Sequence, residues 1–267
     1  MIFQGKQLRN ELKYYINYEE YFYLKNRLAT MLKIDENSIK DYGYHIRSLY
    51  FDDMYGTALK EKEAGVMYRK KYRVRIYDKE DKNIKLERKD KYGEYITKLS
   101  ERITRDQFYE LINGGNINFL LDSGSQLKKD MYVNIRTRLL RPAVIVDYER
   151  ETYVLNEGNV RITFDKKIQA GINTPDIFSR DIINVDVLPP NTLVLEVKFD
   201  DFLPDYVRKL LRIPSYERCA ISKYVLCRLI QLERNPVAKD FFMANRIMYT
   251  RKLNNYLLMR GERQWET

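Results

Sequence analysis

Charged side chains recur at every second position in several short segments of this sequence, and their types suit the binding of phosphate. In a β-strand this spacing directs the charges to one face and the apolar residues to the other. Arginine is especially suited to phosphate, because the planar fork of its guanidinium group matches the positions of the phosphate oxygen atoms. Several such strands side by side would enclose a cationic space for a polyanion. The segments are Arg73-Val-Arg75, Lys85-Leu-Glu87-Arg-Lys89, Tyr148-Glu-Arg150, Arg161-Ile-Thr163-Phe-Asp165 and Glu196-Val-Lys198.

A single segment of this kind has an ordinary explanation, since Arg73 and Arg75 could form the solvated face of an antiparallel sheet. The segment 193–199 differs, because Glu196 and Lys198 interrupt an apolar run typical of a strand buried on both sides. Buried charges are unfavourable unless they meet an opposite charge, a metal or a ligand. The proposed face also holds more cations than acids, which favours a bound anion. Its cations are Arg73, Arg75, Lys85, Lys89, Arg150, Arg161 and Lys198.

Four acidic residues share the proposed face: Glu11, Glu87, Asp165 and Glu196. Carboxylates among phosphate-binding cations suit Mg²⁺ or Mn²⁺, because Mg²⁺ uses one or two carboxylates and completes its shell with phosphate oxygens and water. The same acids could instead be ion-pair partners of the arginines. Both interpretations stay open for Glu87 and Asp165, whereas the apolar neighbours of Glu196 favour the metal.

The composition narrows the classes of function. The 267 residues include 48 Lys and Arg against 38 Asp and Glu, a net charge of +10, so nucleic acid, anionic lipid or phosphorylated small molecules are the expected partners. His45 is the only histidine, which argues against a Ser-His-Asp triad or a multi-histidine zinc site. No apolar run approaches the roughly 20 residues of a membrane helix, and the first residues do not resemble a signal peptide, so we expect a cytoplasmic protein.

The elements that must position these side chains are strands with helices inserted between them. Two helix starts are marked by capping boxes, Asn17 with Glu20 and Thr104 with Gln107. The order predicts one α+β domain over 1–267, whose C-terminal part, 204–267, is helical. The predicted strands are 8–16, 45–52, 68–78, 83–91, 95–103, 133–139, 143–153, 159–168 and 193–199. The predicted helices are 18–32, 104–113, 204–211, 222–233 and 239–258. The stretch 55–65 is a short helix or a loop, and a weaker helical pattern ends near 129.

The last predicted helix, 239–258, has an apolar face and a basic flank. Its simplest role is to pack on the rest of the domain. The alternative is a contact outside the domain, with a membrane surface, a separate membrane partner or a second subunit.

Taken in order, the motifs of this chain resemble the polyphosphate polymerase domain of the vacuolar transporter chaperone (VTC) family, within the triphosphate tunnel metalloenzyme superfamily. Each motif is short, but their order over nearly the whole chain is specific. The matching segments are Arg9-Asn-Glu11-Leu-Lys13-Tyr14, Ser48-Leu-Tyr-Phe-Asp52, Arg73-Val-Arg75, Lys85-Leu-Glu87-Arg-Lys89, Tyr148-Glu-Arg150, Arg161-Ile-Thr163-Phe-Asp165, Leu195-Glu196-Val-Lys198 and Ser222-Lys223-Tyr224.

The resemblance implies a closed barrel of eight antiparallel strands with flanking helices, a tunnel whose basic interior holds a triphosphate or a growing polyphosphate chain. It also implies a divalent metal, Mn²⁺ or Mg²⁺, with Glu196 as the main ligand and Glu87 and Glu11 as further candidates. A catalytic role would fall to Glu196 and to the arginines that hold the transferred phosphate and its neighbours, Arg73, Arg75 and Arg161. The other phosphate-binding residues would be Lys13, Lys85, Lys89, Lys98, Arg150, Lys198, Lys223 and Tyr148.

One position departs from the superfamily pattern. Many members open with Glu-x-Glu-x-Lys, whereas here Arg9 replaces the first glutamate. The loss of a carboxylate should weaken a hydrolytic arrangement of two metals, which shifts the expectation towards phosphoryl transfer. We therefore expect a polymerase that moves the γ-phosphoryl group of ATP to the end of a polyphosphate chain. The acceptor phosphate is already ionised, so no histidine base is needed.

Other functions of the same tunnel stay open. It could hydrolyse tripolyphosphate or nucleoside triphosphates with water as the acceptor, or it could bind polyphosphate without catalysis. Nucleic-acid binding is the weakest alternative, because charges that point inward cannot reach a duplex.

Overall fold

The sheet that carries the charged strands is large, curled and antiparallel. The computed structural model of the protein describes residues 2–3, 6–7, 9–38, 43–93, 95–122, 124–212 and 219–234. Within these residues ten strands form the main sheet, and two short strands near the N-terminus pair with each other. The strands are β1 Ile2–Phe3, β2 Lys6–Gln7, β3 Asn10–Asn17, β4 Lys33–Ile34, β5 Tyr44–Asp52, β6 Tyr68–Tyr77, β7 Glu80–Tyr92, β8 Tyr95–Arg102, β9 Arg141–Leu155, β10 Val160–Gly171, β11 Asn184–Asp186 and β12 Thr192–Phe199.

Seven α-helices connect or cover these strands in the described part of the chain. Both predicted capping boxes are confirmed, because the Asn17 side chain accepts from the Glu20 amide and the Thr104 side chain accepts from the Gln107 amide. Each cap satisfies an amide group that has no partner within its helix, and so fixes the helix start. The helices are α1 Tyr18–Ala29, α2 Thr57–Glu63, α3 Arg105–Asn113, α4 Phe119–Asp122, α5 Gln126–Arg138, α6 Asp205–Leu210 and α7 Lys223–Glu233.

Eight strands of the main sheet follow one another in the order β3, β12, β10, β9, β5, β6, β7 and β8, while β4 pairs with β9 and β11 with β10. The sheet curls so far that Lys89 on the seventh strand reaches Glu11 on the first, with Nζ 3.1 Å from Oε2. Within the described residues β3 and β8 do not pair. The α+β class is confirmed, but the prediction of a closed eight-stranded barrel is wrong in strand number and in closure.

Apolar residues cover the convex face of the sheet, where most of the helices pack. One buried cluster joins α1 and α6 to β3, β10 and β12. A second joins α3, α4 and α5 to β5, β6 and β7. Since successive residues of a strand face opposite sides, this arrangement leaves the alternating charged residues to the concave face.

Helix α7 lies on the concave side of the sheet and covers part of it. The helix shares a buried apolar cluster with β5, β9 and β10. In its first turn the hydroxyl of Tyr224 donates to the carboxylate of Asp52, at the end of β5, and Lys223 forms an ion pair with Asp165 of β10. The N-terminus of α7 therefore lies among the charged residues.

One predicted strand, 133–139, is wrong, because residues 133–138 belong to α5 and Leu139 is the C-cap of that helix. Its alternation and β-branched residues such as Val133 favoured a strand. Leu127 and Met131, which precede the segment in the same helix, have helical spacing, and both are buried. Packing against the sheet outweighed the intrinsic preference of the exposed residues.

The other predicted strands and helices up to residue 233 are confirmed, with bounds shifted by a few residues. The stretch 55–65 contains α2, and the unassigned stretch near 184 contains β11. The predicted helix 239–258 lies outside the described residues. Over the part of the chain that the structure describes, no helix is long and apolar enough to cross a bilayer.

Candidate functional site

The concave face collects the charged side chains that the sequence singled out. Strand register accounts for this: Glu196 of β12 pairs with Lys13 of β3 on one side and Thr163 of β10 on the other. In the other half of the sheet Glu87 of β7 pairs with Arg73 of β6. We call this set of side chains the cationic face. Its members are Glu11, Lys13, Arg73, Arg75, Lys85, Glu87, Lys89, Lys98, Tyr148, Arg150, Arg161, Asp165, Glu196, Lys198 and Lys223.

Glu87 holds three cations from two neighbouring strands, β6 and β8, in place. Its side chain is fully buried, and Oε2 accepts from Arg73 Nε at 2.7 Å, with Arg75 Nη1 at 3.9 Å. The other oxygen, Oε1, accepts from Lys98 Nζ at 2.9 Å. Burial alone would raise the pKa of this carboxyl, but the two arginines and the lysine lower it far below its usual value. Glu87 is therefore an ion-pair partner of the arginines in this structure, with both oxygens on cations.

Arg75 is buried, and its hydrogen bonds go to neutral hydroxyl groups. Nε donates to Ser48 Oγ at 3.0 Å, and Nη2 donates to the hydroxyl of Tyr148 at 3.3 Å. Among the described residues its only formal counter-charge is Glu87, 3.9 Å away. That carboxylate is closer to Arg73, with Nη2 at 2.6 Å. The charge of Arg75 is thus only partly balanced by the protein.

Asp165 forms a second buried ion cluster, next to the N-terminus of α7. Its oxygens accept from Arg150 Nε at 2.6 Å and from Nη2 at 2.8 Å, and Lys223 is its third contact. Burial alone would raise the pKa of Asp165, but Arg150 and Lys223 lower it. The ring of Tyr148 lies beside both cations, 5.3 Å from Arg150 and 5.2 Å from Lys223. Burial raises the pKa of Tyr148 to about 12, so its hydroxyl stays neutral.

Glu11 and Glu196 share one ammonium group. Lys13 Nζ lies 2.9 Å from Glu11 Oε1 and 3.3 Å from Glu196 Oε2. Lys89 also pairs with Glu11, and Lys198 pairs with Glu196. Burial alone would raise the pKa of both carboxyls, but the lysines lower the pKa of Glu11 to about 2 and that of Glu196 well below its usual value. Two anionic carboxylates therefore lie side by side in this part of the cationic face.

These two carboxylates fit a divalent cation that is bound together with phosphate. Mg²⁺ uses one or two carboxylates when phosphate oxygens and water complete its shell, and Glu11 and Glu196 supply that number. In the residues described by the structure, no three His, Cys, Asp or Glu side chains come together as a protein-made metal site. The donor set suits a metal that arrives with its anion.

Two of the predicted residues lie apart from these clusters. Arg161 donates to Asp35 Oδ2 at 3.0 Å and to the hydroxyl of Tyr44 at 3.3 Å. Within the described residues it shares no bonding partner with the other two arginines of the predicted catalytic set. Lys85 contacts the ring of Tyr77, with Nζ 5.4 Å from the centroid. The structure therefore brings most, but not all, of the predicted residues into contact with one another.

Sequence reasoning gave no site role to three polar residues on this face, Ser48, Tyr50 and Lys71, although Ser48 and Tyr50 lie in one of the matching segments. The hydroxyl of Tyr50 accepts from Arg73 Nη1 at 2.9 Å. Burial alone would raise the pKa of Tyr50, but the neighbouring arginines lower it. The signal for these residues was the same alternation, since Ser48 and Tyr50 flank an apolar residue in β5 and Lys71 lies two positions before Arg73.

A curled antiparallel sheet with arginine, lysine and carboxylate side chains on its concave face defines a class of protein suited to phosphorylated anions. The VTC domain model matches residues 8–230 of the chain. The chain belongs to the VTC domain family. The resemblance found in the sequence motifs is thereby confirmed. None of the curated proteins matches the chain.

Solved structures of low sequence identity are similar to most of the chain. The PH1819 protein from Pyrococcus horikoshii OT3 is 13% identical, covering 84% of this chain and 99% of its own, with a TM-score of 0.43. The bh2851 protein from Bacillus halodurans is 11% identical, covering 78% of this chain and 87% of its own, with a TM-score of 0.44. Similarities at this level assign no function.

Proposed function

We propose that the protein is a metal-dependent polyphosphate polymerase, which transfers the γ-phosphoryl group of ATP to the end of a polyphosphate chain and releases ADP. The observation that supports this most directly is Arg75, a buried guanidinium bonded to two neutral hydroxyl groups with its nearest carboxylate 3.9 Å away. A charge in this setting is stabilised by an anion with several oxygen atoms. Membership of the VTC domain family supports phosphoryl transfer as the reaction class.

The reaction requires positioning and charge neutralisation more than it requires a base. The P–O bond to ADP breaks while the terminal oxygen of the acceptor chain, already ionised, forms a new bond to the same phosphorus. Arg73 and Arg75 would hold the transferred group, and Lys89 would guide the chain. A divalent cation held by Glu11 and Glu196 would neutralise charge on the phosphate oxygens.

The contacts of Arg9 favour transfer over hydrolysis. Its Nε lies 3.0 Å from Asp200 Oδ1, and its Nη2 donates to the carbonyl of Asn159 at 2.5 Å. Arg9 therefore adds no carboxylate to Glu11 and Glu196. A second hydrolytic metal would need such a ligand, so its absence at this position supports a phosphate acceptor.

Incubation of the purified protein with ATP and Mn²⁺ tests the proposal. We expect long polymer on a gel and ADP in the phosphorus NMR spectrum. Free phosphate without polymer would support a tripolyphosphatase or nucleoside triphosphatase. Polyphosphate binding without ATP consumption would support a binding module. RNA binding that is sensitive to salt and is not displaced by triphosphate would support a nucleic-acid site.

Replacing Glu196 with glutamine should raise the Mn²⁺ concentration for half-maximal synthesis by about tenfold or more, a size common for weakened metal sites. The amide keeps the shape of the side chain but removes the charge that attracts the cation. Metal titrations of the synthesis rate measure the effect. Glu80→Gln is the matched control, because Glu80 is exposed and pairs with Lys82 outside the cationic face. An unchanged Mn²⁺ requirement in Glu196→Gln would contradict the metal assignment.

A further inference from the structure

Three lysines from three different elements converge on the segment 220–222, directly before α7. Lys13 of β3 and Lys62 of α2 donate to main-chain carbonyl oxygens of this segment, at 3.3 and 3.4 Å. Lys71 of β6 donates to Ser222 Oγ at 3.2 Å. The acceptors in this segment are neutral. Lys13 is balanced by Glu11 and Glu196, so the question of a counter-charge concerns Lys71.

Lys71 has no counter-ion within the described residues. The half-buried side chain places Nζ 3.2 Å from Ser222 Oγ and 4.7 Å from the centroid of the Tyr224 ring. One hydroxyl and one aromatic ring replace only part of the hydration of an ammonium group. Burial and the charges of Lys62 and Lys89 together lower the pKa of Lys71 well below its usual value. The site is therefore short of negative charge.

The other groups around Lys71 do not supply that charge. Asp52, at the end of β5, already accepts from the hydroxyl of Tyr224 and from main-chain amides of α2. The residue opposite Lys71 on β7 is Lys89, and the diagonal neighbour Glu87 is already bonded to Arg73 and Lys98. Within the described residues, the charged or titratable groups around Lys71 are Lys13, Asp52, Lys62, Arg69, Arg73, Lys89 and Tyr224, together with Glu11, which pairs with Lys13 and Lys89.

The start of α7 adds hydrogen-bond donors at the same place. Ser222 precedes the helix, but its hydroxyl does not cap the helix amides and instead accepts from Lys71. The first amide groups of a helix lack partners within it, and together with the helix dipole they favour an anion. An anion near Ser222 would therefore receive donors from the lysine and from the helix.

We propose that Lys71 and the N-terminus of α7 form a phosphate subsite that binds a group of the polyphosphate chain next to the one held at Arg73 and Arg75. The chain as ligand rests on the proposed function, whereas the subsite itself would bind inorganic tripolyphosphate in a protein of any activity. Binding raises the pKa of Lys71, because the anion supplies the missing counter-charge.

Calorimetric titration of the full chain with inorganic tripolyphosphate, without metal or ATP, tests the subsite. Titrations in buffers of different ionisation enthalpy also report the protons taken up on binding. We expect Lys71→Met to bind about tenfold more weakly, the effect of one lost charge-assisted contact, and to take up fewer protons. Lys71→Arg should keep most of the affinity but also take up fewer protons, because guanidinium is always protonated.

Lys70→Met is the matched control. Lys70 is the next residue of the same strand, but it points to the opposite face and contacts the ring of Tyr68, with Nζ 5.3 Å from the centroid. The Lys70→Met substitution removes the same charge and should change neither the affinity for tripolyphosphate nor the proton uptake. Equal affinities of Lys71→Met and Lys70→Met, or wild-type proton uptake in Lys71→Arg, would overturn the proposal.

Thermal unfolding shows whether Lys71→Met folds, and if it does not, the Lys71→Arg titration decides. The two proposals fail separately. If the protein makes no polymer but the Lys71 variants behave as expected, the subsite stands and the polymerase assignment falls. If the protein makes polymer while the Lys71 variants bind tripolyphosphate as the wild type does, only the subsite falls.

Discussion

Replacing Arg75 with alanine should slow polyphosphate synthesis by about 10³- to 10⁵-fold, the range for arginines that stabilise a transferring phosphoryl group. The reason is the position of the guanidinium, which is buried on the concave face, bonded to Ser48 and Tyr148, and only partly balanced by Glu87. Negative charge that spreads over the phosphate oxygens during transfer would meet a fixed cation in a site with little water. The initial rate of polymer formation from ATP measures the loss.

Two further variants separate the lost charge from damage to the fold. Arg75→Lys keeps a positive charge but cannot reach both hydroxyl groups with one fork, so it should recover only part of the rate. Arg105→Ala removes a half-exposed arginine of α3, paired with Asp81 away from the cationic face, and should leave the rate unchanged. Near wild-type synthesis by a folded Arg75→Ala protein would show that Arg75 does not contact the transferred phosphate.

Replacing Asp165 with asparagine should lower the free energy of unfolding at neutral pH by about 3–5 kcal/mol, the usual effect of breaking a buried ion pair. The carboxylate is fully buried and bonds Arg150 with both oxygens, while Lys223 adds a third contact. An amide of the same size leaves two cations without their counter-charge and weakens the attachment of α7 to β10. Urea denaturation followed by circular dichroism measures the difference.

The effect of Asp165→Asn should depend on pH. Burial would raise the pKa of Asp165, but Arg150 and Lys223 hold it below its usual value in the folded protein. A carboxyl of this kind contributes stability above its unfolded pKa, about 3.9, and loses that contribution as the pH falls through the folded value. The difference from the wild type should therefore be largest near neutral pH and shrink below about pH 4. Asp81→Asn, at a half-exposed position, should show little difference, and a loss of stability independent of pH would count against the charge-based explanation.

Short sequence patterns predicted the structural features that depend on neighbouring residues, such as helix starts and the charged side of a strand. The boxes at Asn17 and Thr104 predicted two helix starts, because a cap needs only residues three positions apart. Alternation predicted which side of each strand would be charged, and Glu196 within its apolar run predicted a buried acid. Strand pairing then brought these side chains to one face.

Contacts between distant segments could not be predicted in the same way. Lys89 of β7 and Glu11 of β3 connect the two halves of the sheet through side chains and not through a backbone ladder. This contact depends on curvature summed over the strands between them. Val133 lies in a helix because residues before it pack on the sheet. Lys71 belongs to the site because it donates to Ser222, which lies 151 positions away in the chain. No short motif contains such information.

The carboxylates of the cationic face have a consequence for how an anion binds. Glu87 and Asp165 already hold Arg73 and Arg150 in fixed rotamers, so these long side chains have lost their conformational freedom during folding. A phosphate chain that binds beside them does not have to order them again, and more of its interaction energy is retained as affinity. The acids thus act as internal templates, which preorganise the guanidinium groups before any phosphate arrives.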